Sequence, residues 1–79
     1  MKYKVTYRLP RFKANLDFGF HCLAGSEEQA ESLLCEHLVG FAAEVRGNGR
    51  PEEIFPSGIT REQFARTYET HETVLIATL

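Results

Sequence analysis

No acidic residue occurs among the first thirteen positions, no secretory disulfide pattern is present, and the longest apolar run near the C-terminus is only Val74-Leu75-Ile76-Ala77. Each absence excludes something. Four apolar residues fall far short of the ~20 that a bilayer-spanning helix requires, so no membrane span is expected. Lys2 and Lys4 are followed by alternating residues rather than the continuous apolar core of a signal peptide, and the chain reads as cytoplasmic. Cys22 and Cys35 are the only cysteines, too few for a secreted disulfide scaffold, and both are expected as free, buried thiols. Repeats, low-complexity tracts and linkers are also lacking, which leaves residues 1–79 as one domain. A chain of 79 residues buries about 60–65% of its unfolded surface, enough for one core of modest stability. Its 43% apolar and 25% charged residues are ordinary for a globular protein.

What is present is a charge split. Lys2, Lys4, Arg8, Arg11 and Lys13 are five of the nine basic residues, so everything after Lys13 holds four bases against eleven acids, a formal charge of −7 within a net charge of −2. One-signed surfaces steer association and select partners.

Periodicity gives the fold. Tyr3, Val5, Tyr7 and Leu9 alternate with Lys2, Lys4, Thr6 and Arg8, the pattern of a half-buried strand. Pro10 ends it. After a loop through Asn15, Leu16, Phe18, Phe20 and Cys22 form a second alternation, and an antiparallel hairpin is expected with Leu9 facing Leu16, Tyr7 facing Phe18, Val5 facing Phe20 and Tyr3 facing Cys22. The same register sets Arg8 opposite Asp17 and Lys4 opposite His21 on the outer face. Ser26-Glu27-Glu28-Gln29 has the form of a capping box, and Ala30, Leu33, Leu34, His37, Leu38, Phe41, Ala42 and Val45 form one apolar stripe. One helix from Glu27 to about Arg46 is therefore expected, running through Gly40 and stopped by Gly47-Asn48-Gly49. Residues 50–59 read as a loop pinned by Ile54 and Phe55. Thr60-Arg61-Glu62-Gln63 repeats the capping pattern and opens a short helix burying Phe64, Ala65 and Tyr68, with a strand over Thr67, Tyr68 and Thr70 as the alternative. His71 to Thr78 reads as a final strand, and its apolar centre suggests a central position or a covered outer face. The expected class is α+β, a two-layer antiparallel sheet of order ββα(α)β with one helix packed on it.

Chemistry-bearing clusters are weak in this sequence. His21, Cys22, Cys35 and His37 resemble a ligand set, but strand alternation separates His21 from Cys22, and on a helix Cys35 and His37 are about 200° apart. Only Cys22 and His37 are expected to face the core, so no metal and no cofactor is expected. A reactive thiolate wants an electropositive setting, whereas Cys35 lies among Glu31 and Glu36. His71 reads as solvent-facing. The many carboxylates supply no acid and base in contrasting environments, and a non-enzymatic protein is expected.

The charged faces remain as partner-binding candidates. Lys2 and Lys4 lie on the sheet's open face, with Arg11, Phe12 and Lys13 at the hairpin tip, Phe12 being the one aromatic free to stack or anchor. Glu28, Glu31 and Glu36 mark an acidic helix face on which spaced carboxylates can imitate a phosphate backbone. In size, element order and surface charge the chain resembles the anti-CRISPR proteins of phages and mobile elements. That resemblance implies a protein-binding inhibitor that occupies a CRISPR effector complex and blocks its target DNA, working in the host cytoplasm as a monomer or homodimer. The opening strands and Gly25-Ser26-Glu27-Glu28-Gln29-Ala30 also resemble the N-terminal part of HicB-type antitoxins. The second reading is accordingly a small nucleic-acid-binding regulator that uses the basic hairpin.

Overall fold

A computed structural model describes residues 1–47 and 58–79. The expected Asn48-Gly49 turn and most of the 50–59 loop, including Ile54 and Phe55, lie outside the described residues. Five elements follow in order: β1 (Lys2–Leu9), β2 (Lys13–Leu23), α1 (Glu27–Gly47), α2 (Arg61–Glu69) and β3 (Glu72–Thr78). The strands form one antiparallel sheet ordered β2-β1-β3, and the helices lie on one side of it, the α+β architecture that the periodicity predicts.

β1 is central because both of its edges are paired and its alternation is the cleanest in the chain. Its inner side chains, Tyr3, Val5, Tyr7 and Leu9, are buried with Ala24, Ala30, Leu34 and Leu38 in the main core. Towards β2 the expected register holds from Tyr3 opposite Cys22 to Arg8 opposite Asp17. It then shifts, and Leu9 faces Lys13 rather than Leu16. The cause is the turn: Phe12 donates its amide to the Leu9 carbonyl at 2.9 Å, Pro10 takes the second turn position that its fixed φ suits, and β2 starts at Lys13. The loop expected through Asn15 is therefore strand, and Leu16 lies at the register shift, exposed.

Towards β3 a second shift falls between Thr6, which faces Leu75, and Tyr7, which faces Thr73. Val74 is the extra residue, a bulge of the kind that edge strands carry. β3 is thus an edge strand and not a central one. Its apolar centre reflects the bulge, which leaves Val74 and Leu75 both in solvent, 46% and 59% exposed.

α1 is continuous through Gly40, as its in-phase stripe requires, and buries Ala30, Leu34, Leu38, Ala42 and Val45. At its start the Ser26 hydroxyl accepts from the Gln29 amide, while the Gln29 side chain accepts from Gly25 rather than from Ser26. His37, expected in the stripe's buried part, is exposed at its rim, with its ring 4.9 Å from Phe20 and 4.6 Å from Phe41. The 60–70 segment resolves as helix. Thr60 and Gln63 form a complete capping box, and Phe64 and Ala65 join Ala42 and Val45 in a second small core, with Tyr68 partly buried beside it. Arg46 reinforces this helix pair from the surface, 2.9 Å from Glu62 and 2.5 Å from Glu69, a contact that solvent screening keeps weak.

Leu34 and Leu38 carry the contact between layers and are almost wholly buried. Leu34→Ala and Leu38→Ala should each lower the unfolding free energy by about 2–5 kcal/mol, whereas Leu75→Ala should stay within about 0.5 kcal/mol of the parent. Urea denaturation checks this, and a Leu34→Ala cost under about 1 kcal/mol would contradict the packing.

Candidate functional site

The expected basic site is divided. Lys2 and Lys4 are exposed on the open face of the sheet, where Lys4 lies between His21 of β2 and Ala77 of β3. The Lys4 stem runs across the sheet, so that a Cβ at Gly19 would meet its Cε at 3.2 Å. Arg11 and Lys13 sit at the other end of β1, about 17 Å along the strand from Lys4 at ~3.3 Å per residue. Between the two groups Arg8 is neutralised. It bonds Asp17 at 2.6 Å and has Glu72 opposite it on the other side. Among the described residues Lys2 and Lys4 have no ion-pair partner. Around them the face is mixed, with His21 and Thr6 beside Lys4 and two exposed leucines, Leu23 opposite Lys2, 75% exposed, and Leu75 beyond Thr6.

Phe12 does not stand free. It packs against both cores and meets Phe64 edge-on at 5.7 Å, and Lys13 lies over its other side, with Nζ 5.8 Å from the ring centre. Arg11 instead borders a cleft with Gln63, Arg66 and Ile59.

The acidic set is divided too. Glu28 and Glu36 are exposed on α1, and Glu36 borders a shallow cleft with His37, Phe41 and Glu44. Glu31 is about 140° around the helix from Glu36 at 100° per residue, on the flank that faces β3. There the Glu31 Oε1 atom is 2.8 Å from His71 Nε2, the Thr73 hydroxyl donates to Oε2, and the Cys35 thiol donates to Oε1 at 3.8 Å. His71 is not solvent-facing: its side chain is 15% exposed and meets the Tyr7 ring edge-on at 6.4 Å. The bulge at Val74 produces this grouping. It returns Thr73 to the inner face opposite Tyr7, and His71, two residues earlier, follows the same parity.

Burial raises the Glu31 carboxyl, but the hydrogen bonds from Thr73 and His71 and the electrostatic pull of His71 outweigh it, so the group lies below the usual carboxylate range. Burial first, and Glu31 second, push the Cys35 thiol up. A raised thiol whose hydrogen bond goes to a carboxylate is a poor nucleophile, in keeping with the expectation drawn from its acidic neighbours. The four residues His21, Cys22, Cys35 and His37 do not assemble. His21 is on the open face, Cys22 is on the β2 edge, two strand spacings (about 9.6 Å) from β3, and His37 is on the far flank of α1. Comparison with protein-family models, curated proteins and solved structures returns no match.

Sequence reasoning missed the Glu31, Cys35 and His71 group because His71 is 40 residues from Glu31. The only local sign was the Glu31/Cys35 pair one helical turn apart. Because the Glu31 carboxyl is lower in the folded state, the stability it contributes is complete above the ordinary carboxylate pKa of about 4.3 and is lost as pH falls through and below that range. Glu31→Gln should therefore destabilise the chain at pH 7 and give a shallower loss of stability between about pH 5 and pH 2. Denaturant midpoints across that range test it, and parallel curves for the two proteins would remove the assignment.

Proposed function

We propose that the chain is a non-enzymatic protein-binding inhibitor of the anti-CRISPR type, which docks through the open face of its sheet onto a CRISPR effector complex and blocks engagement of target DNA. The observation that supports a docking role is the composition of that face. Leu23 and Leu75 are exposed beside two lysines without ion-pair partners among the described residues. Exposed apolar side chains beside unpaired charge are a usual anatomy of a contact surface. The matching partner surface is apolar and carries acidic groups where the two lysines meet it. No helix of the described residues is long and apolar enough to cross a membrane.

The aromatic residues weigh against the nucleic-acid reading. Tyr3 and Tyr7 are buried, and Phe18 and Phe20 pack against the same core, so among the described residues the lysine-bearing face presents no Phe or Tyr ring on which a base would stack, and His21 beside Lys4 is the one ring it offers. The acidic helix face is the weaker contact candidate, since Glu31 is committed to His71 and Thr73.

Saturating chain should lower the affinity of a purified effector complex for its target duplex by at least about tenfold, which is 1.4 kcal/mol. The double variant Lys2→Glu/Lys4→Glu should restore most of that loss while melting like the parent, because both sites are exposed. Unchanged DNA binding by the effector would reject the proposal. Direct, steeply salt-dependent binding of DNA by the chain alone would put the nucleic-acid reading in its place.

A further inference from the structure

Glu31 and Cys35 of α1 and His71 of the α2–β3 connection bring three different ligand atoms within 4.8 Å of one another. We propose that these three side chains form a binding site for a divalent transition metal, with zinc the ion that suits the donor set best. The site is separate from the open face of the sheet, and its existence does not depend on what that face binds.

The donor chemistry narrows the ion. One thiolate, one imidazole and one carboxylate make a borderline-soft set, whereas magnesium and calcium call for oxygen ligands. Zinc accepts all three donors, at bond lengths of about 2.0–2.3 Å. A tetrahedral ion with such bonds holds its ligand atoms about 3.3–3.7 Å apart. The observed Cys35 to Glu31 separation of 3.8 Å needs to close by only a few tenths of an ångström. The Glu31 to His71 separation of 2.8 Å is a hydrogen bond that must open by less than about 1 Å, the scale of a side-chain adjustment.

The surroundings are arranged for ligation. Glu31 and Cys35 are one turn apart on a single helix face, and His71 enters from the position just before β3. Thr73 holds the second carboxylate oxygen, the kind of outer contact that orients a metal-binding carboxylate. A cleft of about 210 Å³ lined by Cys35, Leu38, Val39, Tyr68, Glu69 and His71 opens beside the group. It leaves room for water or a partner's side chain as fourth ligand, so the centre resembles exchangeable three-ligand zinc sites more than closed four-ligand ones. Binding replaces the thiol proton of Cys35 with the metal and releases that proton to solvent, while His71 contributes its Nε2 lone pair. The ion would tie α1 to β3 across 40 residues of chain.

The test uses the full, tag-free chain, reduced and freed of metal by chelator, and titrated with cobalt(II) and then zinc. One cobalt ion per chain should bind with a thiolate-to-cobalt charge-transfer band, and zinc should abolish that band. Zinc at a hundredfold excess over its Kd should raise the melting temperature by about 11–22 °C. Cys35→Ser should remove the band, Cys22→Ser should leave it, and Thr73→Val should weaken affinity about 10–100-fold while keeping it. Far-UV circular dichroism of each variant confirms folding before titration, and the Cys22 and Thr73 variants report on the site even if Cys35→Ser does not fold. A parent chain with no charge-transfer band and no zinc-dependent melting shift would overturn the site, leaving a hydrogen-bonded cluster. A band lost in Cys22→Ser would overturn it as well.

Discussion

Every element takes its position from β1, because a strand paired on both edges fixes the facing of its two neighbours along with its own. With Tyr3, Val5, Tyr7 and Leu9 turned inward, a one-residue slip would put Lys4 and Arg8 into the core, at a cost far above any pairing energy. That parity sets Phe18, Phe20 and Cys22 on the inner face of β2 and Ile76 and Thr78 on that of β3. It also leaves Lys2 and Lys4 on the side that no helix covers. α1 then needs only to present Leu34 and Leu38 to the layer so formed.

Both irregularities of the sheet have chemical consequences. The shift near Leu9 shortens the hairpin loop and draws Phe12 against Phe64, so that Phe12, together with Tyr68, links the main core to the second one. The bulge at Val74 does more. A regular β3 would place Val74 opposite Tyr7 and turn Thr73 and His71 outward. One extra residue reverses that parity, and Glu31 gains two hydrogen-bond partners from another layer. The same residue blunts the free edge, since a bulged edge pairs less readily with stray strands. Glu31 is thus half-buried against β3, and the exposed acidic character of α1 rests on Glu27, Glu28, Glu36 and Glu44.

The parts legible in the sequence are those governed by short-range rules. Alternation gave β1 and most of the hairpin register, the Thr60-Gln63 box marked α2, and the in-phase stripe carried α1 through Gly40. The pairing of Arg8 with Asp17 followed from the same register. Errors gathered where a local pattern competes with pairing: Leu16 has the right spacing for the core but falls at the register shift, and the apolar run of β3 resembles a central strand yet lies at an edge. His37 satisfies the stripe's arithmetic but sits at its rim, where a polar ring keeps access to water.

Two surfaces of this protein were therefore determined at different levels. The lysine-bearing face was set by sequence alone, because a period of two forces every second residue to the same side and the cost of burying Lys4 or Arg8 decides which side that is. The grouping of Glu31, Cys35, His71 and Thr73 was decided only in the tertiary structure. Its members are up to 42 residues apart, and no local rule specifies that β3 pairs with β1, carries its bulge at Val74 and so turns a histidine and a threonine towards the helix.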